Sequence, residues 1–394
     1  MSKSTVIRNQ RNIAILAGEK SGDIHAARLV AELRRLDSSF AFWGVGGDAM
    51  KEAGVDLITD TTYHAPIGLM GVPRAIREQT GLMMHIVWRV QHERPAAVIL
   101  VDYPDFNLRV AARIHRLGVP VIYFICPQLW AWRSHRIERI RKYVDKLYVL
   151  FDFEKAMYDK LGADCEWMGH PIIDAIYPAP QADLRAEMGI APDRLLVGIL
   201  PGSRKSEFRL IAPVLLEAAR IARGKLGDFA AVMSRASAIT DEMIAKVDTA
   251  GIAIVPGRTT DILRACDVAL VASGTTTLEA AALIKPMVVV YVASPFTYYP
   301  LIHLLEIPDY ALPNIVAGRR IVPEYIQRKA RPRAIATELV SLVKDKGKSE
   351  AMKEELRKVR EKLGPPGAIN RAATSMLKFL DRKGLPRSIG DAEN

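Results

Sequence analysis

The chain of 394 residues has only three cysteines and no apolar run that approaches the length of a membrane span. A transmembrane helix needs about 20 predominantly apolar residues. The thiols of Cys126, Cys165 and Cys266 lack the close spacing of zinc ligands, so we expect buried free cysteines in a reducing compartment. Residues 1–11 are polar and basic, and residues 13–17 are too few for the apolar part of a secretory signal, which favours a cytoplasmic protein.

Nucleic-acid-binding signatures are missing as well: there is no zinc-finger spacing, no RNA-recognition motif and no alternation of aromatic and basic residues. The formal net charge is nevertheless +11. Such an excess favours a polyanionic partner, which is a nucleic acid, a phospholipid surface or a phosphorylated substrate. Because the signatures are missing, we expect no nucleic acid and retain the other two.

Short apolar runs alternate with helical segments along most of the chain, as in α/β proteins with parallel sheets. Residues 177–194, rich in proline, alanine and charge, interrupt this alternation. The sequence therefore predicts two doubly wound, Rossmann-like domains facing a cleft, at residues 1–175 and 176–350. Residues 351–394 are expected to form C-terminal helices that either cross back to the first domain or exchange between chains in a homodimer, followed by a disordered tail.

A turn of small polar residues follows a predicted strand in the second half of the chain and consists of Ser273, Gly274, Thr275 and Thr276. Turn N–H groups and the positive end of the following helix favour a bound anion. A similar turn after residues 195–200 contains Ser203 and Arg204, whose guanidinium can bond two diphosphate oxygens at once. These turns predict a nucleotide-diphosphate site.

Glu279 lies about one turn into the helix that follows Thr276, and two roles are open for it. Its carboxylate could accept hydrogen bonds from ribose hydroxyls. Residues 276–279 also match the S/T-x-x-E capping box, in which the glutamate caps its own helix. An Asp-x-Asp pair for Mg²⁺ is absent from these turns, so we expect arginine and helix N-termini to stabilise a departing diphosphate without a metal or other cofactor.

In the first half, the apolar run 97–101 ends at Asp102. Ligands bind at the carboxyl ends of strands in open α/β sheets, and a carboxylate there is suited to general base catalysis. Capping of the next helix is a sufficient role for Asp105, which begins a helical run. Capping accounts less well for Asp102. The first apolar run leads into residues 18–23, where Asp23 is predicted to cap a helix over 24–36.

The segment of residues 67–91 is unusually apolar and carries interspersed arginines. It predicts a helix over 73–92 that either buries its apolar face in the core or leaves one face for lipid. The residues assigned to the membrane-docking or acyl-contacting face are Met70, Val72, Ile76, Met83, Val87 and Trp88. A basic helix predicted over 134–146 is either a solvated face or a patch for phosphate or a membrane surface.

Eight short motifs occur in one order: AGEKSGD at 17–23, VDYPDFN at 101–107, PQLWAWR at 127–133, GHP at 169–171, LPGSR at 200–204, ASGTTTLE at 272–279, PMVVVY at 286–291 and LPNIVAG at 312–318. Together they resemble the lipid-A-disaccharide synthases over residues 12–330. The resemblance implies a GT-B-type glycosyltransferase that needs no metal. It would transfer 2,3-diacylglucosamine from UDP, with inversion, to the 6-hydroxyl of 2,3-diacylglucosamine 1-phosphate, at the inner face of an anionic cytoplasmic membrane.

The resemblance also implies roles for individual residues. Asp102 corresponds to the catalytic base, and Glu279 to a ribose contact. The implied diphosphate and donor contacts are Ser203, Arg204, Ser273, Gly274, Thr275, Thr276 and Asn314, and the implied acceptor or cleft residues are Glu19, Ser21, Asp105 and Asn107. Two alternatives remain: a UDP-N-acetylglucosamine 2-epimerase of the same fold, and a UDP-sugar-binding protein without catalysis.

Overall fold

The structure is a computed structural model that describes residues 11–60, 72–126, 137–177, 183–294 and 309–383, with the backbone alone at residue 60 and over 72–76. It divides into two compact units. The first comprises Met1–Pro171 together with Gly367–Asn394, and the second comprises Ile172–Pro366. The first unit ends four residues before the expected boundary at 175, and its second part begins at Gly367, inside the expected C-terminal segment of residues 351–394.

The first unit contains a parallel sheet of seven strands in the order β3-β2-β1-β4-β5-β6-β7. The strands are β1 (Arg11–Ala17), β2 (Phe40–Gly46), β3 (Asp56–Asp60), β4 (Ala97–Val101), β5 (Val121–Phe124), β6 (Lys146–Val149) and β7 (Cys165–Trp167). Strands β4, β5 and β6 are buried along their whole length, as expected for a parallel sheet covered on both faces.

The helices of the first unit follow these strands in the usual alternation. They are α1 (Lys20–Leu36), α2 (Asp48–Glu52), α3 (Val72–Glu93), α4 (Pro104–Ile114), α5 (Ile137–Tyr143) and α6 (Asp152–Lys160), with a 3₁₀ turn at His115–Leu117. The strand order reverses between β1 and β4, where Ala17 is paired with Val101. The turns that follow these two residues therefore lie side by side, at the point where open α/β sheets bind ligands.

The second unit contains a six-stranded parallel sheet in the order β10-β9-β8-β11-β12-β13. Its strands are β8 (Leu196–Leu200), β9 (Ala230–Arg235), β10 (Ala253–Pro256), β11 (Val268–Ala272), β12 (Met287–Tyr291) and β13 (Glu324–Ile326). Its order reverses between β8 and β11, where Leu200 is paired with Val271. The predicted diphosphate turns after β8 and β11 are thus neighbours.

The remaining helices begin with α7 (Pro171–Ile176) and α8 (Leu184–Glu187). They continue with α9 (Lys205–Leu226), α10 (Asp241–Ile244), α11 (Thr259–Ala265), α12 (Thr275–Ala282), α13 (Leu312–Ala317), α14 (Pro332–Lys344), α15 (Lys346–Lys362) and α16 (Ala368–Arg382), with a 3₁₀ turn at Gln327–Lys329. Helix α13 corrects the interpretation of residues 312–318 as a loop. Its proline occupies the first turn, where the missing N–H costs nothing.

Helix α16 packs against α1 of the same chain, within the first unit. Arg371 donates from Nε and Nη2 to the carbonyl of Met168, at 3.0 and 2.8 Å. Ser375 donates to the Glu166 carboxylate and accepts from the Tyr148 hydroxyl. These polar contacts tie the last helix to the β6–β7 edge of the first sheet.

Asp23 was predicted to cap its own helix, and this was wrong. Helix α1 begins at Lys20, so Asp23 lies inside its first turn. The buried carboxylate instead accepts backbone N–H groups of Gly47, Ala49 and Met50 at 2.8, 3.0 and 3.1 Å. It therefore caps α2, the next helix in the chain, and joins the loops that follow β1 and β2.

Helix α3 buries one face and exposes the other. Met83, Ile86 and Val90 lie in the core of the first unit, at the i, i+3, i+7 spacing of one helix face. Met83 is 5% exposed, which corrects its assignment to a lipid-facing surface, and Val87 packs against the same core. Trp88, in contrast, is 57% exposed. Met70 lies outside the described residues, and only the backbone is described for Val72 and Ile76.

The predicted basic helix over 134–146 is shorter in the structure. Helix α5 ends at Tyr143, and Lys146 belongs to strand β6. The ammonium group of Lys146 is buried between the carboxylates of Asp164 and Glu166, at 2.7 and 3.3 Å. Lys146 therefore forms structural ion pairs and does not belong to a surface patch. The PQLWAWR motif at 127–133 lies outside the described residues.

Two buried histidines in the first unit predict a loss of stability in acid. Burial, followed by Arg28, lowers the pKa of His25 to about 4, and burial, followed by His25, lowers the pKa of His170 to about 3. Between pH 6.5 and these values the unfolded chain binds protons that the folded chain does not. Stability is therefore complete above pH 6.5 and falls as the pH drops, by up to about 2 kcal/mol per histidine at pH 5.

Urea unfolding at pH 7.5 and pH 5 measures this loss. His170→Gln should lose less stability between the two pH values than the wild type does. The exposed His115 provides the control, because His115→Gln should retain the full pH dependence. An equal loss in His170→Gln and the wild type would contradict the assignment to His170.

Candidate active site

Asp102 and Tyr103 form a strained turn directly after β4. Both have φ of 48°, in the left-handed region that side chains other than glycine rarely adopt. Each such residue costs about 1–3 kcal/mol and persists only where its surroundings impose it. Here Asn107 Nδ2 donates to the carbonyls of Val101 and Asp102 at 3.2 and 2.7 Å, and the Tyr123 hydroxyl donates to the Asp102 carbonyl at 2.6 Å.

The Asp102 carboxyl has the electrostatics of a general base. Burial raises the pKa of Asp102 to about 6, with a further contribution from the negative charge of Glu19. The backbone N–H of Tyr103 donates to this carboxylate and opposes the rise in pKa. A base with a pKa just below neutral is deprotonated at pH 7 and still accepts a proton effectively.

The turn after β1 lies against the Asp102 turn, as the strand register requires. A Cβ atom at Gly18 would lie 2.2 Å from Cδ1 of Tyr103, so only glycine permits this approach. Glu19 and Ser21 are exposed beside it, Glu19 at the N-cap of α1 and Ser21 in its first turn. The structure thus brings Glu19 into the electrostatic neighbourhood of Asp102.

Asp105 and Asn107 follow in the first turn of α4 but lie in different environments. Asp105 is exposed. Asn107 is 1% exposed, and its amide donates to the two backbone carbonyls at the end of β4. This corrects its assignment as an acceptor-contacting residue: Asn107 shapes the Asp102 turn from beneath. Sequence spacing could not distinguish these roles, because both side chains are polar and follow the same strand.

In the second unit, Ser203 and Arg204 are exposed in the turn after β8, and Arg204 is the N-cap residue of α9. The Arg204 guanidinium donates to Glu207 Oε1 at 2.8 Å. Gly202 has φ of 98°, and a Cβ there would lie 2.8 Å from the Glu207 carboxylate and 3.5 Å from Ala272 of β11. The turns after β8 and β11 are therefore in close contact.

The turn after β11 places the start of α12 at Thr275, with Gly274 as the N-cap residue at φ of 147°. The Ser273 hydroxyl donates to the Tyr310 carbonyl at 2.9 Å. Gly274 and Thr275 are exposed and Thr276 is partly exposed. The first N–H groups of a helix have no partner within the helix, so this turn presents donors and partial positive charge beside the Arg204 turn.

Glu279 does not form the predicted capping box. Because the N-cap residue is Gly274, the third helical residue is Thr277, and its hydroxyl donates back to the Gly274 carbonyl at 2.7 Å. The Glu279 carboxylate hydrogen-bonds to Thr260 of α11, and burial raises its pKa. Of the two roles left open by the sequence, the ribose contact remains a prediction.

Replacement of Glu279 by glutamine tests that role. Because the carboxylate has no cap to maintain and burial disfavours its charged form, Glu279→Gln should not lower the thermal unfolding midpoint. A glutamine oxygen is a weaker acceptor than a carboxylate, and hydrogen bonds to charged groups contribute about 1.5–3 kcal/mol, so UDP affinity should fall at least tenfold. Isothermal titration with UDP measures this. Unchanged affinity would remove Glu279 from the site.

Asn314 was predicted as a donor-site contact, and its surroundings correct this. The side chain is completely buried. Its amide nitrogen donates to Val322 O and Glu324 Oε1 at 3.0 and 2.7 Å, and its oxygen accepts the N–H groups of Ile321 and Val322. These four bonds use the full capacity of the amide. Asn314 therefore fixes the chain that leads into β13 and has no group left for a ligand.

Within the described ranges, no cluster of three or more histidine, cysteine or acidic side chains could hold a metal ion, and no helix is long and apolar enough to cross a membrane. The three cysteines are buried and free. Burial raises the pKa of each thiol, which keeps all three protonated.

A comparison with known protein families matches residues 13–378 to the lipid-A-disaccharide synthetase model. The chain belongs to the lipid-A-disaccharide synthetase family. The lipid-A-disaccharide synthase of Syntrophus aciditrophicus is 38% identical over 95% of this chain and 99% of its own length. That of Geobacter sulfurreducens is 38% identical over 94% of this chain and 98% of its own length. Membership of the synthetase family makes the chain a glycosyltransferase.

Solved structures confirm the predicted fold class. A glycosyltransferase of kitacinnamycin matches with a TM-score of 0.65 at 15% identity, covering 94% of this chain and 99% of that one. The UDP-N-acetylglucosamine 2-epimerase of Neisseria meningitidis, solved with UDP-N-acetylglucosamine, matches with a TM-score of 0.61 at 12% identity over 93% of this chain and 100% of its own. At such identities the likeness concerns the fold alone. The synthetase family therefore shares the two-sheet GT-B architecture with epimerases.

Proposed function

We propose that the protein transfers 2,3-diacylglucosamine from UDP to the 6-hydroxyl of 2,3-diacylglucosamine 1-phosphate, giving the lipid A disaccharide 1-phosphate and UDP. Asp102 removes the proton of the attacking hydroxyl. The hydroxyl oxygen displaces the diphosphate in one in-line step, which inverts the anomeric carbon. Arg204 and the N-terminal N–H groups of α12 stabilise the charge that develops on the departing UDP.

The proposal rests on one observation: each of the two sheets has a candidate site at the point where its strand order reverses, and the two sites differ in chemistry. One reversal of strand order carries the partly buried carboxylate of Asp102, with a pKa of about 6. The other carries an arginine and an exposed helix start. The first supports proton removal and the second supports diphosphate binding. The family match supports a glycosyl transfer, a reaction that uses both.

The test is to incubate the purified protein with both acylated substrates and to measure UDP release and disaccharide formation. Both products should appear in equal amounts. The absence of UDP would refute the proposal. Soluble UDP-N-acetylglucosamine is tested as a second substrate. Its conversion to the 2-epimer would support the epimerase alternative, which is suggested by similarity of fold alone. UDP binding without either reaction would indicate a sugar-nucleotide-binding protein.

We also propose that the exposed face of α3 contacts an anionic membrane, where acylated substrates reside. Met84 and Trp88 lie one turn apart on this face and are 65% and 57% exposed. Large exposed apolar side chains near basic residues favour insertion into the headgroup region. The net charge of +11 adds attraction to anionic lipid. The location that we propose is the inner face of the cytoplasmic membrane; among the described helices, none is long and apolar enough to cross it.

Met84→Glu combined with Trp88→Glu should reduce co-sedimentation with vesicles containing anionic phospholipid by about tenfold or more, because fully burying one such side chain contributes about 1.5–3 kcal/mol. Ala250→Glu combined with Ala351→Glu adds the same charge at exposed positions of the second unit and should have little effect. Equal binding of both variants would contradict the proposal. Met83→Glu is unsuitable because it disrupts the core.

A further inference from the structure

Tyr103 is joined to helix α3 by a chain of side-chain hydrogen bonds that the proposed reaction does not use. Arg109 Nη2 donates to Gln79 Oε1 at 2.9 Å, and Gln79 Nε2 lies 3.0 Å from the Tyr103 hydroxyl. Arginine only donates, so it fixes the amide of Gln79 with its NH₂ group toward Tyr103. The tyrosine oxygen therefore accepts. Arg109 is anchored in turn to the Asp105 carbonyl at 2.8 Å.

The Tyr103 ring is held on two further sides. It stacks on Phe106 at a centroid distance of 5.7 Å, and it occupies the space that a side chain at Gly18 would need. The ring thus lies between the turn after β1 and the first turn of α4. Its hydroxyl reaches α3, which is the third element of this arrangement.

The backbone of Tyr103 acts directly on Asp102. Its N–H donates to the Asp102 carboxylate, and its φ of 48° continues the left-handed turn begun by Asp102. Asn107 and Tyr123 restrain the carbonyl side of the turn. Among the described residues, the Tyr103 side chain is the element that ties the turn to α3, since Asn107 and Tyr123 belong to α4 and β5.

We propose that Tyr103 is a positioning residue for Asp102, and that its hydrogen bond to Gln79 holds the strained turn in the conformation that presents the carboxylate to the substrate. The proposal rests on the proposed function, in which Asp102 is the base. Without the tie, the two left-handed residues can relax, and a displacement of about 1 Å at a reacting group can cost about 100-fold in rate. A looser turn also admits water to the carboxylate.

Two variants remove the hydrogen bond between Gln79 and Tyr103, one from each side. Tyr103→Phe keeps the ring and loses the hydroxyl, and Gln79→Leu keeps the volume and loses the amide. We expect kcat to fall about 10- to 100-fold in each, with KM changed less than threefold, since the substrate contacts are retained. The double variant should be no worse than either single one, because both remove the same bond.

The pH dependence separates positioning from a general loss of structure. Burial is the main reason that the pKa of Asp102 is raised. Entry of water relieves that burial, so the acidic limb of the kcat/KM profile, which reports the free enzyme, should move to lower pH in both variants. Tyr325→Phe is the matched control, because this half-buried tyrosine of the second unit also loses one side-chain bond, to Glu338. It should retain the wild-type rate and profile.

Hydrogen exchange provides a readout that needs no turnover. Amides of residues 101–107 should exchange faster in Tyr103→Phe and Gln79→Leu than in the wild type, while the thermal unfolding midpoints stay close together. Unchanged exchange and an unchanged pH profile would overturn the role of Tyr103. The exchange result stands even if the wild type proves inactive on the acylated substrates, an outcome that would refute the proposed reaction and leave the tie itself measurable.

Discussion

Asp102→Asn should abolish turnover and, at the same time, stabilise the folded protein. Loss of a general base typically costs about 100- to 10,000-fold in rate. The gain in stability follows from the raised pKa of about 6, against 3.8 for an ordinary aspartate. Between these values the folded chain retains a proton that the unfolded chain has lost, so stability falls as the pH rises through this window and stays lower above it. At pH 7 the cost is up to about 3 kcal/mol.

Asparagine has nearly the same shape and no charge to bury, so Asp102→Asn avoids this cost. The measurements are UDP release and the thermal unfolding midpoint at pH 7, and the midpoint should rise by several degrees. Asp193→Asn removes an exposed carboxylate of the second unit and should change neither quantity. A variant at Asp102 with wild-type turnover would exclude it as the base. A lower midpoint would show that the carboxylate is better stabilised by its surroundings than burial suggests.

The wild-type pH–rate profile provides a further check of the same residue. A base must be deprotonated to act, so activity should fall on the acidic side with a midpoint near pH 6. If the acidic midpoint lay near pH 4, the carboxylate would be solvated in the enzyme, and the expected gain in stability of Asp102→Asn would disappear as well.

The fold was predictable because its strands appear in the sequence as continuous runs of apolar residues. Residues 97–101 and 268–272 are buried over their whole length, and each run is followed by a polar residue at the carboxyl edge of a sheet. The positions of Asp102 and Ser273 follow from that edge alone. Local composition therefore located both candidate sites before any long-range contact was known.

Polar residues with distant partners were not predictable in this way. Asp23 caps a helix that begins 25 residues later, and Asn314 bonds to residues 321–324 across a turn. In both cases a short polar side chain near a helix start fits a local role, while tertiary contacts decide the actual one. The same holds for Asn107, whose buried position beneath β4 depends on how α4 packs on the sheet.

Helix registers were a second source of error. The capping box predicted at Glu279 requires the helix to start after Thr276, whereas it starts at Thr275. A shift of one or two residues changes which side chain can reach the N-cap. Likewise, the apolar positions of α3 occupy more than one face in sequence, and only the packed structure shows that Met83 faces the core while Met84 does not.

Arg204→Gln should weaken UDP binding by about 10- to 100-fold. The guanidinium is 75% exposed on its side-chain surface, at the N-terminus of α9 and next to the start of α12. Charge-assisted hydrogen bonds contribute about 1.5–3 kcal/mol, and a glutamine can offer one neutral donor in place of a charged fork. The loss in kcat/KM should exceed the loss in UDP affinity, because diphosphate charge increases as the sugar departs.

Glu207 makes this prediction sharper. Its carboxylate accepts from the Arg204 guanidinium at 2.8 Å, so the ion pair both orients the arginine and competes with a diphosphate for it. If orientation dominates, Glu207→Gln weakens UDP binding; if competition dominates, it strengthens binding. Arg204→Gln must weaken binding in either case. Titration with UDP, with Arg209→Gln as the control at an exposed arginine of the same helix, measures all three variants. Equal affinities of Arg204→Gln and Arg209→Gln would remove Arg204 from the diphosphate site and leave the N-terminus of α12 to hold the charge alone.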